Sequence, residues 1–186
     1  MNFYQNSVAI ALKKFKHIIG QNMNNIVLVG LMGAGKSTVG KALAKDLKYD
    51  FIDIDEEIVK SEKMSINDIF KLKSETYFRE LETKTIEKFA QSDNAIISLG
   101  GGAFENKKNR TILLNTSKVF YLKASIETLF ERIKTDNSRP LLKCDNPKEK
   151  LKELLKKREQ NYTKAHYTID ANNSLEQIIK DIKGNL

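Results

Sequence analysis

Residues 30–37 read Gly-Leu-Met-Gly-Ala-Gly-Lys-Ser, the spacing of a phosphate-binding loop in which Gly is followed by four residues and then Gly-Lys-Ser. A short apolar, β-branched run at residues 26–29 precedes this loop, and apolar residues at helical spacing follow it, namely Val39, Ala42, Leu43 and Leu47. The order of strand, loop and helix lets backbone N–H groups and a helix N-terminus converge on an anion. We therefore predict that Lys36 reaches the outer phosphates of a nucleotide and that the Ser37 hydroxyl holds Mg²⁺.

Two acids follow in the next apolar segment, where residues 51–55 read Phe-Ile-Asp-Ile-Asp. We predict that this segment ends a strand beside the phosphate loop, so that period-two alternation places Asp53 and Asp55 on one face. One carboxylate would act at the metal through water, and the other would accept a hydroxyl proton in phosphoryl transfer. The alternative is a solvated strand end, because Glu56 and Glu57 come next.

Strand and helix signals alternate from residue 26 to the end. Strands are predicted at 26–29, 49–54, 95–99, 119–122 and 167–170. Helices are predicted after the phosphate loop, from Ser65, and at 74–91, 107–114, 125–134 and 148–160, with a last one opened by the capping box at 174–177. This alternation predicts an α/β fold with three layers, a five-stranded parallel sheet flanked by helices. Ligands bind such sheets at the carboxyl ends of the strands, where the loop, the acids and the triple glycine at 100–102 fall.

The length of 186 residues fits one domain, which we predict at residues 23–186. Residues 135–147 are polar and hold both prolines, and this composition predicts a mobile loop. Residues 1–22 carry apolar residues at helical spacing with lysines between them and no acid. We interpret them as a helical extension packed on the domain or on a partner subunit. A targeting peptide, a membrane-surface helix and a translation start at Met23 remain alternatives.

The formal net charge of +8 is compatible with nucleic acid, a membrane surface or small anionic substrates as partners. The lysines are scattered and no aromatic-basic platform is present, so we expect no nucleic-acid partner. No apolar run is long enough to span a bilayer, and we expect no membrane partner either. The single cysteine, Cys144, excludes an intramolecular disulfide and fits a reducing compartment, so we expect a cytoplasmic protein, and we predict a monomer.

Arginine is rare in this lysine-rich chain, since only five of its 32 basic residues are arginine. An arginine therefore suggests a need for the planar fork that grips a carboxylate or a phosphate with two bonds. Arg139 lies in the predicted mobile loop, placed to close over a γ-phosphate, and Arg79 and Arg158 lie on predicted helices. For Arg110 we accept a surface salt bridge.

From about Asn25 onward the chain resembles shikimate kinases. The resemblance rests on six motifs in order and at compatible spacing, at residues 30–38, 51–55, 66–70, 78–82, 98–103 and 138–142, and it closes with Lys157-Arg158 shortly before Tyr162. It implies transfer of the γ-phosphoryl of ATP to the 3-hydroxyl of shikimate, with Mg²⁺, in aromatic amino acid (chorismate) biosynthesis. It also implies a fold like that of nucleoside monophosphate kinases, with a closing lid at about 135–147.

The resemblance further implies residue roles. ATP would be bound by Gly33, Ala34, Gly35, Lys36, Ser37, Thr38, Arg132 and Arg139. Shikimate would be bound by Asp55, Arg79, Gly101, Gly102 and Arg158, with Phe70 and Phe78 as pocket walls. Asp55 would be the base, Lys36 and Arg139 would act on the transferred group, and Ser37 with Asp53 (through water) would serve the metal. Glu82 would orient Arg79, which precedes it by three residues on one helical face.

Two departures and three rival functions accompany this resemblance. No acid ends the third predicted strand, an absence the family shares, and this places more weight on Asp53. The loop at 171–173 lacks the basic residue that some members hold near adenine, which leaves adenine selectivity open.

A gluconate kinase would not need Arg79 with Arg158 or the triple glycine. A nucleic-acid-dependent ATPase would use the positive charge, and a nucleotide switch would lack the acceptor site that Asp55 and two arginines build.

Overall fold

The computed structural model describes residues 23–134 and 146–186. The N-terminal extension at 1–22 and most of the predicted lid, including Arg139 and Cys144, lie outside the described residues. The predicted five-stranded parallel sheet is confirmed, and its strands lie in the order β2-β3-β1-β4-β5. The strands are β1 (Asn25–Val29), β2 (Asp50–Asp53), β3 (Ala95–Ser98), β4 (Ser117–Lys123) and β5 (Tyr167–Asp170).

Helices connect the strands and cover the sheet. They are α1 (Lys36–Leu47), α2 (Ile54–Glu62), α3 (Ile66–Leu72), α4 (Glu75–Phe89), α5 (Lys107–Thr116), α6 (Ile126–Ile133), α7 (Pro147–Tyr162) and α8 (Leu175–Lys183), with a short 3₁₀ helix at Ala103–Glu105. Helices α1 and α8 contact each other, as do α4 and α5. Right-handed crossovers run from β1 to β2 and from β3 to β4 in opposite directions along the sheet, so these two pairs cover opposite faces.

The central strand β1 is buried along its whole length, between β3 and β4. A parallel sheet covered on both faces explains why residues 26–29 of this strand form one apolar run without alternation. Leu28 pairs with Ser98 of β3, and Ser98 pairs with Asp53 of β2. The ends of three neighbouring strands therefore carry the phosphate loop, the first acid and the triple glycine to one edge of the sheet.

The predicted alternation of Asp53 and Asp55 along one strand is wrong. Strand β2 ends at Asp53, and helix α2, which the sequence did not suggest to us, begins at Ile54. The Asp53 carboxylate caps this helix, because its Oδ1 accepts hydrogen bonds from the backbone N–H groups of Asp55 and Glu56. Asp55 therefore lies in the first turn of α2, where a carboxylate also interacts favourably with the helix N-terminus.

The prediction of a surface salt bridge for Arg110 is also wrong for the described part of the chain, where this side chain forms no ion pair. Its Nη1 donates hydrogen bonds to the carbonyl oxygens of Phe104 and Glu105, at 2.7 and 2.9 Å. Arg110 thereby satisfies backbone acceptors of the 3₁₀ helix at Ala103–Glu105, and its role is structural.

Candidate active site

The phosphate loop has a backbone shape that requires glycine. Gly33 and Gly35 have φ angles of 82° and 88°, and Gly35 is the N-cap of α1. A Cβ built at Gly33 would lie 2.7 Å from the carbonyl oxygen of Leu129, so the loop also lies too close to α6 for a side chain at this position. The first turn of α1 contains no acid, and its backbone N–H groups and positive dipole end are directed at the loop.

The Lys36 ammonium group is held across this loop. Its Nζ donates hydrogen bonds to the carbonyl oxygens of Gly30 and Leu31, at 2.9 and 3.0 Å. These contacts hold the cation against the first two residues of the loop.

A cavity of about 500 Å³ opens beside the loop. It brings together the described residues to which ATP binding is assigned, since its lining includes Gly33, Ala34, Gly35, Lys36, Ser37, Thr38 and Arg132. The Arg132 guanidinium joins two walls, because its nitrogens donate to Ala171 O at 2.9 Å and to Gly33 O at 3.4 Å. The lining also includes Asn173, from the loop at 171–173, and Leu175 and Ile178 of α8, none of which was predicted to bind ATP.

Ser37 and Asp53, the two side chains assigned to the metal, are in contact. Ser37 Oγ donates a hydrogen bond to Asp53 Oδ2 at 2.9 Å. The described residues contain no group of three or more His, Cys, Asp or Glu that could hold a metal by itself. A hydroxyl with one carboxylate fits Mg²⁺, which prefers oxygen ligands and keeps several waters beside substrate phosphates.

The triple glycine collects the second set of predicted residues. A Cβ built at any of positions 100–102 would lie within 3.3 Å of a different charged side chain, so three charged side chains pack closely against these glycines. The closest atoms are Asp55 Oδ1 at 2.7 Å from Gly100, Arg158 Nη1 at 3.3 Å from Gly101, and Arg79 Nη1 and Nη2 at 3.0 Å from Gly102. One carboxylate and two guanidinium groups, from helices α2, α4 and α7, thus converge on three consecutive glycines.

The predicted contact between Arg79 and Glu82 is present. Arg79 Nη1 lies 3.0 Å from Glu82 Oε2, and Glu82 is only 1% exposed. Burial raises the pKa of Glu82 to about 7, an effect that the Arg79 guanidinium opposes. Arg79 also donates to Glu75 at 3.2 Å, and these two contacts on one helix hold its guanidinium toward Gly102.

Phe70 and Phe78 form an edge-to-face pair with ring centroids 4.9 Å apart, next to these charged groups. The Phe78 ring lies 5.2 Å from Arg79 Cζ and is buried, whereas Phe70 is 38% exposed. Phe78 therefore belongs to the core and Phe70 presents the accessible face of the pair.

Two residues that contact the side chains or backbone around the triple glycine were not predicted from the sequence to belong to the site. Gly100 is in contact with Asp55, and Tyr162 donates a hydrogen bond from its hydroxyl to the carbonyl oxygen of Gly101. Tyr162 follows Arg158 by four residues, a spacing that places both on one face of α7. That spacing was visible in the sequence, but its partner 61 residues away was not.

Known proteins resemble this chain over most of its length. A family model described as shikimate kinase matches residues 32–186. The shikimate kinase of Persephonella marina is 47% identical over 165 residues, covering 88% of this chain and 99% of that protein.

Two solved structures separate the family from its wider fold. A shikimate kinase from Acinetobacter baumannii, in complex with shikimate, has a TM-score of 0.82 and 37% identity, covering 89% of this chain and 96% of that one. A gluconokinase from Sinorhizobium meliloti has a TM-score of 0.55 at 20% identity, covering 86% and 89%, and this likeness shows the fold alone. Within the described residues, no helix is both long and apolar enough to cross a membrane.

Proposed function

The chain belongs to the shikimate kinase family, and from this premise we propose how its own residues bind the two substrates and assist the reaction. The protein is an ATP-dependent kinase that transfers the γ-phosphoryl group of ATP to the 3-hydroxyl of shikimate, giving shikimate 3-phosphate and ADP. The observation that carries the residue assignments is the convergence of Asp55, Arg79 and Arg158 on the glycines at 100–102, close to a separate phosphate loop.

ATP is placed in the cavity beside the phosphate loop. The backbone N–H groups of Gly33 to Gly35 and the start of α1 face its phosphates, with the Lys36 ammonium at the β- and γ-phosphates. Thr38 lies in the same lining, and Arg132 and Asn173 stand where the base would enter. Ser37 would hold Mg²⁺ directly and Asp53 would hold it through water. When bound, this ion neutralises charge on the phosphate oxygens.

Shikimate binds at the glycine cluster, which consists of Gly100, Gly101 and Gly102 with the charged side chains packed against them. Its carboxylate pairs with Arg79 and Arg158, because guanidinium groups bind carboxylates with two parallel bonds. By motif match with the family, Gly101 and Gly102 contact the substrate through their backbone. Phe70 with Phe78 behind it forms an apolar wall for the ring. The Asp55 carboxylate, which lies against Gly100, accepts hydrogen bonds from the substrate hydroxyls.

The chemical step follows from these positions. Asp55 accepts the proton of the 3-hydroxyl as that oxygen forms a bond to the γ-phosphorus, and the bond from the γ-phosphorus to the bridging oxygen of ADP breaks. Lys36 stabilises charge on the transferred group and on the leaving ADP. By motif match with the family, Arg139 contributes a second cation from the lid.

We propose further that residues 23–186 form one kinase domain that works in the cytoplasm as a monomer, without nucleic-acid or membrane partners. The pairing of many lysines with acids, for example Lys123 with Glu159 and Lys183 with Asp46, supports the absence of a nucleic-acid partner, since paired charges do not form a basic patch. Light scattering of the full chain and a salt titration of binding to single-stranded DNA test the two parts.

The assignment of substrate is tested by ADP release in a coupled assay with shikimate, with gluconate and with no acceptor. We expect release with shikimate to exceed both other rates by at least about a hundredfold. Equal release with gluconate, or release that ignores the acceptor, would contradict the proposed acceptor site.

A further inference from the structure

Tyr162 ends helix α7 and is almost fully buried, at 1% exposure. Its hydroxyl donates a hydrogen bond to the carbonyl oxygen of Gly101, the central glycine of the cluster. A buried hydroxyl that keeps such a bond fixes the orientation of the peptide that it contacts.

Arg158 reaches the same glycine from the same face of α7. Its Nη1 would lie 3.3 Å from a Cβ built at Gly101, and the Tyr162 hydroxyl would lie 3.7 Å from it. The helix therefore meets this peptide at two points one turn apart.

The ring of Tyr162 rests on the central sheet. It stacks on Tyr121 of β4 with centroids 5.1 Å apart and an interplanar angle of 28°. The Tyr121 hydroxyl is buried and has no hydrogen-bond partner among the described residues. The two stacked tyrosines thus differ in hydrogen bonding: the Tyr162 hydroxyl donates to Gly101 O, whereas the Tyr121 hydroxyl has no partner in the part of the chain that the structure describes.

We propose that the Tyr162 hydroxyl is a positioning group for shikimate. It aligns Arg158 with the peptide of Gly101, so that both groups contact the substrate carboxylate together. This role rests on the proposed function of the glycine cluster. Tyr162 does not touch the reacting atoms and acts through Arg158 and Gly101.

The chemistry of the hydroxyl suits a constant donor. Burial raises the pKa of Tyr162 to about 12, against the opposing charge of Arg158, so the phenol stays protonated at every pH at which the enzyme works. Removal of the hydroxyl leaves the partly buried Gly101 carbonyl oxygen without this partner.

The test compares Tyr162→Phe with Tyr121→Phe, two variants that each remove one hydroxyl from the same stack. For Tyr162→Phe we expect the KM for shikimate to rise about five- to thirtyfold, the effect of losing one buried hydrogen bond, with the KM for ATP within twofold of wild type. For Tyr121→Phe we expect both constants to be unchanged, because its hydroxyl forms no hydrogen bond to any described residue. Thermal melting of both variants shows whether each is folded.

A second readout separates positioning from simple destabilisation. The ratio of kcat/KM for shikimate to that for its neutral methyl ester measures recognition of the carboxylate, and it should fall at least about fivefold in Tyr162→Phe. If this variant melts at a lower temperature but keeps the wild-type ratio and KM, its hydroxyl is structural and the inference is overturned. If wild type itself fails to phosphorylate shikimate, the proposed function falls instead.

Discussion

The carboxylate of Asp55 packs directly against the backbone of Gly100, and a Cβ built at this glycine would lie 2.7 Å from Asp55 Oδ1 and 3.1 Å from Oδ2. No real Cβ tolerates the shorter of these separations, so a side chain at position 100 and the present position of the carboxylate exclude each other. The reason for glycine here is space for a neighbouring acid.

Gly100→Ala should therefore displace Asp55. A shift of about 1 Å in a reacting group can cost about a hundredfold in rate, and we expect kcat to fall by roughly that factor while the KM for ATP changes little. Gly184→Ala is the matched control, because a Cβ there would meet its nearest neighbours at 3.5 and 3.6 Å, which is ordinary contact. Steady-state kinetics of both variants decide the matter, and a Gly100→Ala enzyme with wild-type kcat would show that Asp55 has room to move.

Asp55→Asn should keep both substrates bound and lose turnover. The amide has nearly the shape of the carboxylate but accepts no proton, and general base catalysis contributes about a hundred- to ten-thousand-fold. The control is Asp50→Asn, at the exposed start of β2 and far from the strand's carboxyl end. Single-turnover phosphoryl transfer with saturating substrates measures the effect. A variant within a few-fold of wild type would mean that Asp55 only orients the substrate.

Arg158→Lys keeps the positive charge but removes the planar guanidinium group that can form two parallel hydrogen bonds. We expect the KM for shikimate to rise at least about tenfold, because a bidentate pair becomes a single contact, and the KM for ATP to stay within twofold. Arg110→Lys serves as the control, since Arg110 binds only backbone carbonyls of the 3₁₀ helix in the described residues. Equal effects of Arg158→Lys on both substrates would place this arginine in another step.

The sequence predicted the elements that local chemistry determines. The phosphate loop, the capping serines at 65, 125 and 174, and β5 lie where they were expected, because each depends on neighbours within a few residues. Helix α2 was missed because Phe-Ile-Asp-Ile-Asp alternates like a strand. In the structure the Asp53 carboxylate instead caps two N–H groups, and β2 ends at this residue.

For the candidate active site too, the sequence predicted only what residue type and motif determine. Arg79, Arg158 and Asp55 were found through residue type and motif, but their convergence on three glycines depends on the packing of separate helices against one loop. The contact of Asp55 with Gly100 and the bond from Tyr162 to Gly101 join residues 45 and 61 positions apart, and no local pattern encodes them.

Glu82 should give the protein a pH-dependent stability in an unusual direction. Burial raises its pKa from 4.5 to about 7, although Arg79 opposes the shift and Asp55 adds to it. A raised pKa means that the folded protein binds this proton more tightly than the unfolded chain does. The contribution of the Glu82 proton to the free energy of unfolding is therefore fully present below pH 4.5 and is lost as the pH rises through about 7.

The measurement is the free energy of unfolding by urea, for wild type and Glu82→Gln, from pH 4.5 to 8. The glutamine has no titrating proton, so the wild-type value should fall relative to that of the variant by up to about 3 kcal/mol across this range. The difference between the two proteins removes the contributions of other titrating groups that the substitution leaves alone. A constant difference would mean that Arg79 holds Glu82 ionised throughout, and that the ion pair outweighs the cost of burial.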